Sequence, residues 1–138
     1  MGKIKVIAFD KTGTLTKGQP VVTDIIALNG TEDEILELAY SVEHFSEHPL
    51  ARAIVWKAET SGINNSVATN FSALTGYGAT AKVRNKTCYV GNQRLFHKLG
   101  QDIYSIPQIE ELRNDGKTVI LVGTEEAVTG IIAIRDEI

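Results

Sequence analysis

The sequence predicts an α/β fold of the α+β type: an antiparallel β-sheet of about six strands, flanked by helices. Three observations carry that prediction. Apolar residues recur at helical spacing between Glu32 and Ala58. After Val67 the pattern changes to short β-branched and apolar runs with strand periodicity. Turn residues separate those runs at hairpin distances, so neighbouring strands run antiparallel.

The elements follow in order. Ile4 to Ala8 is an apolar run that reads as a strand ending near Asp10, and Leu15 to Pro20 is a polar connector holding Gly18 and Pro20. Val21 to Leu28 reads as a strand closed by Asn29-Gly30. Thr31 and Glu34 form a capping box for a helix from about Glu32 to His44, with Ile35, Leu38, Ala39 and Val42 on its apolar face. Pro49 opens a second helix, whose predicted buried face is Leu50, Ile54, Val55 and Ala58, and Gly62 ends it. Val67–Leu74, Ala79–Val83 and Thr87–Val90 read as strands, the last two joined by a turn at Asn85-Lys86. Short helices are expected over 93–99 and 107–113, and apolar strands over 118–122 and 127–134.

A chain of 138 residues with 43% hydrophobic and 22% charged residues has the composition of one globular domain. The net charge of −3 gives no reason to expect nucleic acid as a partner. One cysteine, Cys88, excludes an internal disulfide and reads as buried filler in a strand. No apolar stretch approaches the ~18 to 20 residues of a membrane helix. Four Asn-x-Ser/Thr sequons, at Asn29, Asn64, Asn70 and Asn85, read as chance matches.

The chemistry begins at Phe9-Asp10-Lys11-Thr12-Gly13-Thr14-Leu15-Thr16. An apolar strand ending in Asp presents a carboxylate at the carboxyl end of a sheet strand, where α/β sheets bind ligands. Such a carboxylate can act as a nucleophile and form an aspartyl-phosphate. Two positions on, a second acid would help break that intermediate down, and here the residue is Thr12. The aspartyl-phosphate should therefore persist.

The string FDKTGTLT resembles the phosphorylation motif of P-type ATPases. The resemblance implies that Asp10 takes the γ-phosphate of ATP, that the Thr12 carbonyl and Asp10 hold Mg²⁺, and that the Thr14 hydroxyl contacts the phosphate, with Lys11 and Gly13 completing the motif. P-type ATPases are much longer and span a membrane, so the chain is expected to be a cytoplasmic piece of an integral membrane protein. Its partners would be the remaining phosphorylation, actuator and transmembrane domains of the same polypeptide. Because the family's other catalytic parts lie in those regions, the isolated chain is expected to bind ATP without turning it over.

A second string, Ser46-Glu47-His48-Pro49-Leu50-Ala51, holds His48 extended before a helix-opening proline. A ring fixed beside an apolar helix face suits stacking on an aromatic base, and Glu43 stands five residues earlier as an acceptor for an exocyclic amine. Taken alone, the string also reads as an interhelical turn in which His48 only caps the helix. With Glu43 it resembles the adenine-binding signature of the heavy-metal class of P-type ATPases. That class also places a Gly-x-Gly loop and a Gly-Asn pair at the nucleotide. Gly76-Tyr77-Gly78-Ala79 and Gly91-Asn92 match them in order.

The resemblance thus implies ATP-binding residues Glu43, His48, Pro49, Gly76, Gly78, Ala79 and Asn92, with ATP and Mg²⁺ as cofactors. It divides the chain into residues 1–18, the start of a phosphorylation domain; 19–134, the nucleotide-binding domain; and 135–138, a return towards the phosphorylation domain. Gly91 to Phe96 and the segment 116–124 lean towards the zinc, cadmium and cobalt branch over the copper branch. A haloacid-dehalogenase-type phosphatase is the rival reading that Thr12 opposes, and a metal-binding chaperone is the one opposed by the absence of a Cys-x-x-Cys pair. His44 and His48 are four apart, but Pro49 breaks the helix between their faces, so no heavy-metal site is expected in the chain. His97 reads as a surface residue and Trp56 as partly buried packing.

Overall fold

A computed structural model describes residues 19–46, 48–64, 66–103 and 105–137. Among the described residues six antiparallel strands form one sheet: β1 (Gln19–Ala27), β2 (Ala68–Leu74), β3 (Gly78–Val83), β4 (Lys86–Gly91), β5 (Thr118–Thr124) and β6 (Val128–Glu137), in the order β1-β6-β5-β4-β3-β2. Four helices among the described residues accompany it: α1 (Glu32–Glu43), α2 (Pro49–Thr60), α3 (Gln93–Lys98) and α4 (Pro107–Asn114).

The helices divide between the two faces of the sheet. Ile120, Val122, Ile132 and Ile134 pack with Ile35, Leu36, Ala39, Val42 and Ile54 of α1 and α2. Their alternates Val119, Leu121, Ile131 and Ala133 pack with Leu95, Phe96, Ile109 and Leu112 of α3 and α4. Period-two alternation sends neighbouring side chains to opposite faces, so covering both faces demands strands that are apolar at every position. This is why β5 and β6 read as unbroken apolar runs.

Local chemistry sets the helix starts. The Thr31 hydroxyl accepts from the Glu34 amide at 3.2 Å, and the Glu34 carboxylate accepts from the Thr31 amide at 2.8 Å. The capping box is therefore present as expected. Gly62 follows α2 with φ +76, the left-handed conformation suited to a helix end.

Several boundaries differ from the sequence reading. The β3–β4 turn is Arg84-Asn85, with both residues at positive φ (51° and 64°), and Val83 pairs with Lys86. Two consecutive positive φ values make the turn type I′, which matches strand twist, and they displace it one residue from Asn85-Lys86. Pro20 belongs to β1 rather than to a connector; β1 is an edge strand, where a missing N–H goes unnoticed. The buried face of α2 is Ala51, Ala53, Ile54 and Ala58, with Leu50 and Val55 at its margin. Trp56 is 58% exposed and does not pack as expected.

Candidate functional site

One cavity of about 520 Å³ opens between the α1–α2 junction, the β2–β3 turn and the starts of α3 and β5. It is lined by Glu43, His48, Gly76, Gly78 and Asn92 together with apolar Leu50, Leu74, Val90 and Ile120. Five of the seven residues nominated for ATP binding thus meet at one site, although Glu43 and Asn92 are 49 positions apart in the chain. Pro49 and Ala79 do not line it. Pro49 takes the first position of α2, and Ala79 is buried in the core opposite Val90. Asp10, Lys11, Thr12 and Thr14 lie outside the described residues.

Glu43 is the last residue of α1. Its helix backbone packs it inward, leaving it 8% exposed. Among the described residues no side chain or backbone group hydrogen-bonds its carboxyl. Burial pushes that carboxyl up to about 7. A buried acid left without a partner is costly, and the opening beside it is the cavity.

His48 does cap α2: its Nδ1 accepts from the Leu50 amide at 3.2 Å. The same ring lines the cavity. Capping and ring presentation therefore coexist, because the bond that caps the helix also fixes the ring's orientation. His44 turns elsewhere, with its ring edge-on to Tyr40 and Phe45 at centroid distances of 5.9 and 5.2 Å.

The glycines act differently from one another. Gly76 sits at φ +83, and a Cβ there would meet nothing within 4 Å. Gly78 sits at φ +148, and its Cβ would fall on the Val90 carbonyl and the Gly91 Cα. The clearance at Gly78 is taken up by β4, whereas the clearance at Gly76 is open. Asn92 joins the parts. Its Nδ2 donates to the Gly76 carbonyl at 2.9 Å, and its Oδ1 accepts from the Leu95 amide at 3.0 Å as the cap of α3. Sequence reasoning gave Asn92 a ligand contact but missed this tether, which depends on two segments meeting in space. It also missed Tyr77, Thr118 and Val119 in the lining; of these only Tyr77 carried a signal, as the middle of the Gly-x-Gly loop.

Cys88 is buried in β4, and burial pushes its thiol up, which fits the filler reading. His97 is exposed on α3. Among the described residues no group of three or more His, Cys, Asp or Glu is placed to hold a metal ion, and no helix is long and apolar enough to cross a membrane.

The haloacid dehalogenase-like hydrolase model matches residues 4–138, and the chain belongs to that family. A probable cadmium-transporting ATPase of Staphylococcus aureus is 42% identical over 100% of this chain, which spans 20% of that protein. A crystal structure of a zinc-transporting PIB-type ATPase superposes with a TM-score of 0.80 at 38% identity, over 94% of this chain and 21% of that one. The N-domain of a copper-transporting P-type ATPase superposes with a TM-score of 0.73 at 30% identity, over 83% of this chain and 99% of that domain. Within its broad family, then, the chain is a domain of the heavy-metal P-type ATPases, and it spans about a fifth of the length of the curated relatives it matches.

Proposed function

We propose that this chain is the ATP-binding region of a heavy-metal-exporting P-type ATPase, cytoplasmic in a membrane-bound whole, with zinc, cadmium or cobalt as the transported ion. The observation that carries the reading is the convergence of Glu43, His48, Gly76, Gly78 and Asn92 on one cavity. Adenine sits between the His48 ring and the apolar floor, and its exocyclic amine donates to the unpartnered Glu43 carboxylate. A ligand that satisfies a buried acid recovers part of what its burial costs. Asp10 and Thr12 would hold the Mg²⁺ that accompanies ATP, which would neutralise phosphate charge there.

The strand register supports delivery of the γ-phosphate to Asp10. Thr118, in the cavity lining, pairs with Ile134, and Ile134 pairs with Val22 of β1. Gln19 pairs with Glu137 three residues further along the same two strands. The cavity therefore lies towards the end of the sheet where residues 1–18 join it. On this reading residues 1–18 and 135–138 belong to the phosphorylation domain, residues 19–134 bind nucleotide, and β1 and β6 form the two-stranded link. The metal assignment draws on the cadmium and zinc relatives, the latter superposing better than the copper N-domain.

The test uses His48→Asn, because asparagine is also a good helix cap and so removes the ring while keeping α2 anchored. The parent should bind ATP with an affinity on the order of 0.1 to 1 mM. His48→Asn should lose most of that binding at an unchanged melting temperature, and Trp56→Ala should lose none. Equal calorimetric affinity for parent and His48→Asn would sink the adenine reading.

A further inference from the structure

Among the described residues the cavity lining contains a carboxyl, Glu43, and no lysine or arginine. A nucleotide lodged there brings phosphate charge to a wall that offers no cation. Lys117 adjoins the lining at Thr118, but its ammonium is tied to Asp24 at 2.6 Å. Two other cations stand at the opposite rim. The Arg94 guanidinium carbon lies 5.9 Å and the Lys98 ammonium 4.8 Å from the ring centroid of Tyr77, the middle residue of the glycine loop. Arg94 also donates to the Gly76 carbonyl at 3.4 Å, the group that Asn92 holds. Both side chains belong to exposed positions of α3, and among the described residues neither is within ion-pair distance of a carboxylate.

Charges resting on an aromatic face are partly immobilised before any ligand arrives, so less side-chain freedom is lost when they bind an anion. Arg94 already touches a lining carbonyl, so its reach covers the phosphate attached to the ribose rather than a terminal one. Resting on the reading that the cavity takes a nucleotide, we propose that Arg94 and Lys98 form its phosphate-side rim. They bind the first phosphate of a nucleotide whose base lies against Glu43. Base recognition and phosphate recognition then sit on different elements, the α1–α2 junction and α3. The same arrangement makes AMP, ADP and ATP near equals, since all three carry the phosphate that the rim reaches.

NMR titrations of the parent and of the double variant Arg94→Gln with Lys98→Gln, each with adenosine, AMP and ATP, test this. Glutamine at position 94 keeps an amide that can donate to Gly76. At low ionic strength the parent should bind AMP and ATP about fivefold more tightly than adenosine, the effect expected of two exposed charge contacts. The double variant should bind all three alike, with its adenosine affinity unchanged. An AMP advantage that survives in the double variant, or one absent from the parent, overturns the proposal and leaves the base site standing. Adenosine binding that falls in parallel with AMP also overturns it, because the two residues would then only hold the loop. If the parent binds none of the three, the nucleotide reading itself fails and the rim with it.

Discussion

The two walls of the cavity are built on opposite principles. The wall at the α1–α2 junction presents unmet polar capacity, a buried Glu43 carboxyl with no hydrogen-bond partner among the described residues. The wall at the glycine loop is internally satisfied: Asn92 uses both ends of its amide within the protein, and Gly78 is filled by β4. An unmet group can select a ligand, because a ligand can repair it. A satisfied wall contributes shape and stability. The difference teaches that residues grouped as one binding signature need not share a role.

The largest effect should separate the two glycines. Gly78→Ala places a Cβ on the Val90 carbonyl at a φ that alanine rarely adopts, and should lower stability by more than ~3 kcal/mol. Gly76→Ala meets open space and should cost only about 1 kcal/mol for its positive φ. Denaturant unfolding of both variants measures the gap. Similar losses would mean that the loop has one role rather than two.

Glu43→Gln comes next. The folded-state value of Glu43 lies above its ordinary value, so the folded state holds its proton more tightly than the unfolded state does. Stability must then fall as pH rises from 4.5 to about 7, and stay lowered above that. At about 1.4 kcal/mol per pH unit the whole loss is on the order of 3 kcal/mol. Glu43→Gln should flatten this limb and be more stable than the parent at pH 8. If parent and variant show the same slope between pH 4.5 and 7, the carboxyl is not the strained group of this wall.

Asn92→Ala should have a smaller effect than Gly78→Ala or Glu43→Gln, about 1 to 2 kcal/mol, as it removes the α3 cap and the tether to Gly76 together. Hydrogen exchange should quicken at the Leu95 amide, which loses its acceptor. No change there would place the loop's rigidity elsewhere.

Much of this architecture is legible in the chain. The capping box at Thr31 and Glu34, proline at the start of α2 and the apolar runs of β5 and β6 are local patterns with local causes, and the structure contains each of them. The structure departs from the local pattern where tertiary packing overrides it. Trp56 is large and apolar, yet it faces solvent because α2 turns its alanines, Ala51, Ala53 and Ala58, towards α1 and the sheet. Small residues allow the close approach, and the wide indole is left outside. The turn falls at Arg84-Asn85 rather than Asn85-Lys86 because strand register, which fixes it, is a property of two strands at once.

By itself the sequence determined the fold class and the family, and it nominated Glu43, His48, Gly76, Gly78 and Asn92, which line one cavity, because periodicity, caps and ordered motifs are written residue by residue. Tertiary structure alone decided how the site's residues divide their work. Whether Gly78 makes room for a ligand or for Val90, and whether Asn92 faces a nucleotide or holds Gly76, depends on what lies across the gap. So does the burial that pushes the Glu43 carboxyl up to about 7. Desolvation and close approach are properties of surroundings, and the surroundings exist only once distant segments have met.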